Sequence, residues 1–233
     1  MAASTNSDKG TSPFPKPKCA LFVYGAGSGL GKSTLAGALV QQFESQGHEA
    51  FLFPEECALE LPAFQTYVQR VQAGDSCDTT TLLECCTKFI TDLTRGDADI
   101  IVLDSLLPCW DWLYSAGADD AAVFAFTDAI NALLGALRPV LVLVEGDLDR
   151  ALDRAIEDRG INWALDLAEH RIGRRDRESL SEYFRALRLG TNRAVSSWNY
   201  EVIRINTVDC DLESSVRLIT AELAAFLPPT SPG

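Results

Sequence analysis

The sequence is poor in histidine, with only His48 and His170. That excludes a histidine-rich metal centre and a three-histidine zinc site. Positive charge is also scarce: Lys and Arg number 20 against 33 Asp and Glu, a formal charge of −13. No duplex nucleic-acid partner is expected of such a chain, because that binding rests on many phosphate contacts from a broad basic surface. A small anionic ligand in a local pocket is untouched by this argument. The seven cysteines (Cys19, Cys57, Cys77, Cys85, Cys86, Cys109 and Cys210) form no C-x-x-C pair. Their odd number and their scatter through apolar segments point to reduced thiols in a cytoplasmic protein. Adjacent Cys85 and Cys86 are where a regulatory thiol would be sought. Long hydrophobic runs are missing too. The longest, near 99–108 and 139–145, are too short to span a bilayer. The opening MAASTNSDKGTSPFPKPK has no apolar core of a secretory signal. Neither a membrane partner nor a secretory signal is therefore expected.

What is present suits one globular domain: 233 residues, 47% hydrophobic and 23% charged. Residues 1–17 and 227–233 (LPPTSPG) read as disordered tails, which leaves a domain over 18–226. Inside it, short apolar runs alternate with amphipathic segments. CALFVYG (19–25), EAFLF (49–53), DIIVLD (99–104), PVLVLVE (139–145) and EVIRIN (201–206) read as strands. Helical spacing covers 32–47, 57–73, 79–94, 118–137, 147–158 and about 211–226. Continuous apolar strands alternating with helices predict a five-stranded parallel sheet covered on both faces, an α/β/α sandwich of the phosphate-loop NTPase type. Residues 159–178 break the rhythm. They are charged, arginine-dense and weakly periodic, as either a mobile segment over a site or a plain surface loop would be.

The strongest chemical signal follows the first strand: Ala26, Gly27, Ser28, Gly29, Leu30, Gly31, Lys32, Ser33, Thr34. This is the phosphate-loop pattern with Ala in place of the first Gly. Small residues let the backbone curl so that several N–H groups point at one anion, and the helix that starts near Lys32 adds its positive dipole end. Lys32 can reach the β- and γ-phosphates, and Ser33 offers a hydroxyl to Mg²⁺. Asp104 closes the third strand at the carboxyl edge of the sheet and is assigned to Mg²⁺, directly or through water. ATP and Mg²⁺ are thus the expected ligands. A GTPase switch would need a guanine-reading Asn-Lys-x-Asp, and none occurs. A small-molecule kinase needs a general base, an acceptor pocket and charge-neutralising arginines. After strand two come Phe53, Pro54, Glu55 and Glu56, so two carboxylates share the sheet edge with the loop; one could accept the acceptor's hydroxyl proton.

Pro54-Glu55-Glu56 resembles the Pro-Glu-Pro of deoxynucleoside kinases, whose Glu is the catalytic base. Phe64-Gln65-Thr66-Tyr67 resembles that family's Phe-Gln-Thr/Ser-Tyr helix, whose Gln hydrogen-bonds the nucleobase. The resemblance implies that Glu55 is the base (Glu56 the alternate), that Gln65 reads the nucleobase, and that Phe64 and Tyr67 are pocket or core aromatics. The segment from Ala151 to Gly160 is similar to the lid-side helix of deoxynucleoside and thymidylate kinases. It implies that Arg154 and Arg159 neutralise the transferring phosphoryl group, with Arg171, Arg174, Arg175 and Arg177 as alternates. In that family the segment after the last strand lies near adenine. The chain departs from the pattern after strand three, where Asp104-Ser105-Leu106 lacks the family's arginine. Asp111, between Trp110 and Trp112, could read the acceptor in its stead; the tryptophans fit a core or a homodimer interface equally. Thymidylate kinases carry Arg where Glu55 stands, to hold an acceptor phosphate, and a carboxylate there would repel one. The expectation is therefore a Mg-ATP-dependent kinase of a small-molecule hydroxyl, foremost the 5′-hydroxyl of a nucleoside. The alternatives are a kinase of another metabolite or antibiotic, a nucleoside monophosphate kinase, and a regulatory ATPase switch.

Overall fold

The computed structural model describes residues 17–73, 78–95, 98–224 and 227. The expected tails lie outside these residues, except that Pro17 already opens the first strand and Leu227 is described. The elements run β1 (Pro17–Tyr24), α1 (Lys32–Ser45), β2 (Ala50–Phe53), a 3-10 turn (Glu55–Leu59), α2 (Gln65–Gln72), α3 (Thr79–Leu93), β3 (Ala98–Asp104), α4 (Trp110–Ser115), α5 (Asp120–Leu134), β4 (Pro139–Glu145), α6 (Leu148–Arg159), α7 (Ile161–Ile172), α8 (Arg177–Ala194), β5 (Glu201–Asn206) and α9 (Leu212–Leu223).

All five strands pair in parallel, in the order β2-β3-β1-β4-β5. Both faces of the sheet are covered by helices, which is why β1, β3 and β4 read as near-continuous apolar runs. Side chains of β1 alternate between two cores, as the pleat requires. Ala20, Phe22 and Tyr24 pack with Phe89 of α3, Trp110 of α4 and Phe126 of α5. Cys19, Leu21 and Val23 pack with Leu39 of α1, Leu152 of α6, Phe184 of α8 and Ile219 of α9. The chain runs from β1 to β2 and β3 on one side, then crosses to β4 and β5 on the other. That reversal places a crevice at the carboxyl edge beside β1, where Val23 lies level with Asp104 and Tyr24 with Leu143.

The helices begin in two ways. Asp78, Asp119, Asp147, Asp176 and Asp211 cap α3, α5, α6, α8 and α9, each carboxylate accepting first-turn backbone N–H groups. Helix α1 has no side-chain cap and no acidic residue in its first turn; it starts from Gly31 in the left-handed region. Its leading amides are therefore left without a side-chain acceptor.

Several sequence expectations change. The helix expected over 57–73 splits into the 3-10 turn and the shorter α2, with Pro62 in the break. The irregular segment expected at 159–178 is helical for most of its length, as α7 and the start of α8. Helices α4 and α8 were not anticipated. Among the described residues one helical stretch, Asp120–Leu137, is long and apolar enough to cross a membrane by composition. Its Val123, Phe126, Ile130 and Leu134 are buried in the core against β1 and α3.

Candidate functional site

The glycine-rich loop leaves β1 at Gly25 and enters α1 at Lys32. Gly27, Gly29 and Gly31 all sit at positive φ (114°, 79° and 87°), separated by residues that do not. This alternation turns successive N–H groups to one side, the geometry of an anion nest. Gly29 is doubly required. Beyond its φ, a Cβ there would stand 1.9 Å from the Ala151 carbonyl oxygen of α6. Leu30 is buried and anchors the loop from below. Ser28 is half-buried, whereas Ser33 and Thr34 are exposed at the start of α1. Lys32 folds back over the loop, its Nζ donating to the Gly27 carbonyl at 2.7 Å.

Four other charged groups converge on that ammonium. Burial lowers the Lys32 pKa, the negative charges of Glu55, Asp111 and Asp104 oppose the shift, and the positive Arg159 adds to it. Glu55 arrives from the turn after β2. Its outer surface meets solvent, yet protein crowds the carboxyl closely enough that desolvation raises its pKa from 4.5 to about 7. Asp111, Asp104 and Glu56 push in the same direction, and Lys32 pulls back. Glu56, the alternate base, is exposed, and its charge reaches Glu55 and Cys57.

Asp104 is buried at the end of β3 and accepts from the Ser105 hydroxyl at 3.2 Å. The chain then turns sharply. Ser105 (φ 57°) and Cys109 (φ 64°) are both left-handed without being glycine, and Leu107–Pro108 is cis. Positive φ at such residues is costly and is kept where surrounding structure enforces it. The turn delivers Asp111 on α4 to the end of β1. There the Tyr24 hydroxyl donates to Asp111 Oδ1 at 2.6 Å and accepts from the Asp111 backbone N–H at 2.8 Å. Tyr24 is fully buried, and burial raises its pKa well above the usual value, so it remains a donor. The sequence pointed to Asp111 but not to Tyr24. The available signal was one polar-tipped residue closing an otherwise apolar run, Cys19 to Val23, immediately before the loop.

Beyond this centre the expected residues separate. Phe64 is fully buried and packs on Phe89 and Trp112, so its ring touches protein only. Tyr67 and Trp112 are half-buried and stack at 5.5 Å. Gln65, half-buried, opens α2 two residues before Tyr67. Arg159 lies over the Trp163 ring at 4.9 Å as well as near Lys32. Arg154 stands apart from it, in a cleft of about 360 Å³ lined by Asp147, Arg150, Asp153, Arg154, Glu157, Thr207 and Val208. Two of the alternate arginines are already engaged: Arg175 with Asp166 and Glu169, and Arg177 with Asp153. Arg150 and Thr207 had not been singled out, because only the fold brings the start of α6 against the end of β5.

Among the described residues no group of three or more His, Cys, Asp or Glu side chains could hold a metal ion unaided. Ser33 and Asp104 offer a hydroxyl and a carboxylate, hard oxygen donors suited to Mg²⁺, which commonly completes its shell with phosphate oxygens and water. Among the described residues six cysteines are free, and Cys19, Cys85, Cys86 and Cys109 are buried. The arrangement can hold an anionic chain along the loop and α1 and present a carboxylate of near-neutral pKa to whatever lies beyond it. No protein-family model matches the chain, and no curated protein matches it.

Proposed function

We propose that the protein is a phosphate-loop phosphotransferase that moves the γ-phosphoryl group of Mg-ATP to a hydroxyl of a small molecule. The leading acceptor is the 5′-hydroxyl of a nucleoside or nucleoside-like compound. The carrying observation is the convergence of Lys32, Glu55, Asp104, Asp111 and Arg159 around the uncapped start of α1. A structural charge cluster would neutralise itself in ion pairs, whereas this one surrounds the place an anion would take.

In this reading the loop amides and Lys32 hold the β- and γ-phosphates. Ser33 and Asp104 hold Mg²⁺, which when bound neutralises charge on the phosphate oxygens. The acceptor oxygen bonds to the γ-phosphorus, the bond from that phosphorus to the β–γ bridging oxygen breaks, and ADP leaves. The hydroxyl proton passes to Glu55, whose raised pKa suits proton exchange near neutrality. Arg159 balances the charge on the transferring group. The cleft between Arg150 and Arg154 of α6 and Thr207 after β5 receives the nucleobase of ATP. The buried thiols suit a reducing, cytoplasmic compartment.

The test is ADP release with Mg-ATP across nucleosides, nucleoside monophosphates and unrelated hydroxyl compounds, with product masses read and Lys32→Ala as the blank. A gain of one phosphate on a hydroxyl compound is the expected result. Steady ADP release without any acceptor would move the protein to the ATPase switches. Transfer to monophosphates alone would make it a nucleotide kinase.

A further inference from the structure

The acceptor side of the site holds more negative charge than phosphoryl transfer uses. With the phosphotransfer reading granted, Asp104 serves the metal, Glu55 takes the proton and Lys32 is drawn to the phosphates. Asp111 has no role in that chemistry. It is half-buried and held rigidly: one carboxylate oxygen accepts from Tyr24, and its backbone N–H is tied to the same hydroxyl. Among the described residues no group donates to its other oxygen, and no cation lies within ion-pair distance of it. Lys32 is near enough to be felt, but that one ammonium is shared with Glu55 and Asp104. A fixed, partly desolvated carboxylate without a cation of its own is costly unless a ligand supplies one.

Its neighbours agree with that kind of ligand. Trp112 follows Asp111 on α4 and stacks on Tyr67 of α2, so an aromatic pair is carried by the same short helix as the carboxylate. Aromatic faces attract cations, as carboxylates do. Among the described residues the one other cation felt at Lys32 is Arg159, which sits on α6 and not on α4.

We propose that the acceptor is an amine-bearing hydroxyl compound, whose ammonium pairs with the open oxygen of Asp111 while its hydroxyl faces Glu55. This inference rests on the phosphotransfer reading and deepens it: Asp111 selects the acceptor, and Tyr24 is the positioning residue that keeps the carboxylate aimed. Acceptors carrying phosphate or carboxylate in the same place are rejected by Asp111 and Glu55 together.

The experiment uses matched probes with the full chain and Mg-ATP at pH 7: 3′-amino-3′-deoxyadenosine against adenosine, and glucosamine against glucose. Acceptor-dependent ADP release and product mass are read for each, and Mg-ATP binding is measured separately by calorimetry. The expected result is a kcat/KM about tenfold or more higher for at least one amine than for its hydroxyl twin. Asp111→Asn then lowers kcat/KM for that amine about tenfold more than it lowers it for the twin. Tyr24→Phe, which removes one buried oxygen, moves selectivity the same way by a smaller factor and keeps the inference testable if Asp111→Asn does not fold. A twin that matches or beats its amine overturns the inference. So does an Asp111→Asn variant that slows both members equally, the mark of a merely structural role. If Mg-ATP binds but neither amine is phosphorylated, the acceptor inference falls and the nucleotide site stands. If Mg-ATP binding is absent, or survives Lys32→Ala unchanged, the phosphotransfer reading falls and takes the acceptor inference with it.

Discussion

The carboxylates of this protein fall into two populations. Along α5, α6 and β4, Asp120 pairs with Arg193, Asp149 with Arg185, Asp153 with Arg177 and Glu145 with Arg204, all at 3.0 Å or less. At the carboxyl edge of the sheet Glu55, Asp104 and Asp111 gather around one lysine, and among the described residues no arginine forms an ion pair with any of them. The helix starts divide the same way. Five are closed by their own aspartate; α1, α4 and α7 have no side-chain cap, and of these three α1 is the one that starts at the glycine-rich loop beside Lys32. Where charge serves only the fold, the chain supplies both partners. Where it supplies one, the proposed function assigns the missing partner to a ligand.

The largest effect expected at the unpaired edge is from Glu55→Gln. Phosphoryl transfer should fall about 10²–10⁴-fold while Mg-ATP still binds, measured as single-turnover product formation. The same change should alter stability in a pH-dependent way. The Glu55 carboxyl is raised from 4.5 to about 7, so protonation favours the folded state. That contribution is complete below pH 4.5 and is lost as the pH rises through 7. Melting curves should therefore show the glutamine variant gaining on the parent across that window and keeping its lead above it. Arg159→Ala comes next, with a loss of about 10²–10³-fold in kcat and little change in the melting temperature. A smaller signature is the pH profile of kcat/KM, which should climb with pH and level off above about 7, because the base must be ionised to accept the proton; a flat profile between pH 5 and 8 would remove Glu55 from that role. Smallest of all is Arg177→Ala, which breaks a solvent-facing pair and should cost less than about 1 kcal/mol in urea unfolding, with transfer unchanged. If Arg177→Ala instead matched Arg159→Ala in activity, the division between the two populations would collapse.

Much of the architecture was legible because it is local. The five apolar runs became the five strands, and the glycines at 27, 29 and 31 announced a backbone that other residues rarely adopt. What escaped depends on partners far along the chain. Helix α8 carries Leu180, Phe184, Leu187 and Thr191 at helical spacing, but its many arginines make it look like surface until α4, α6 and α7 pack on it. The six-residue α4 has too few turns to show a period and follows a turn stabilised by burial. The Tyr24–Asp111 bond joins residues 87 apart in sequence. No motif tells Arg159, beside Lys32, from Arg177, bound to Asp153; the fold alone decides which guanidinium is engaged.

The contact between Gly29 and Ala151 has a mechanical meaning. The loop backbone lies so close to α6 that not even a methyl group fits between them, so cradle and helix behave as one rigid lever. Arg150 and Arg154 ride on that lever and Arg159 forms its tip. A push on the helix at the cleft lined by Arg150 and Arg154 is felt as a displacement at the glycine-rich loop, with the Gly29–Ala151 contact passing it on. At Gly160 and Gly173, the two ends of α7, an added Cβ would meet no atom within 4 Å, so that close approach is not repeated beyond α6.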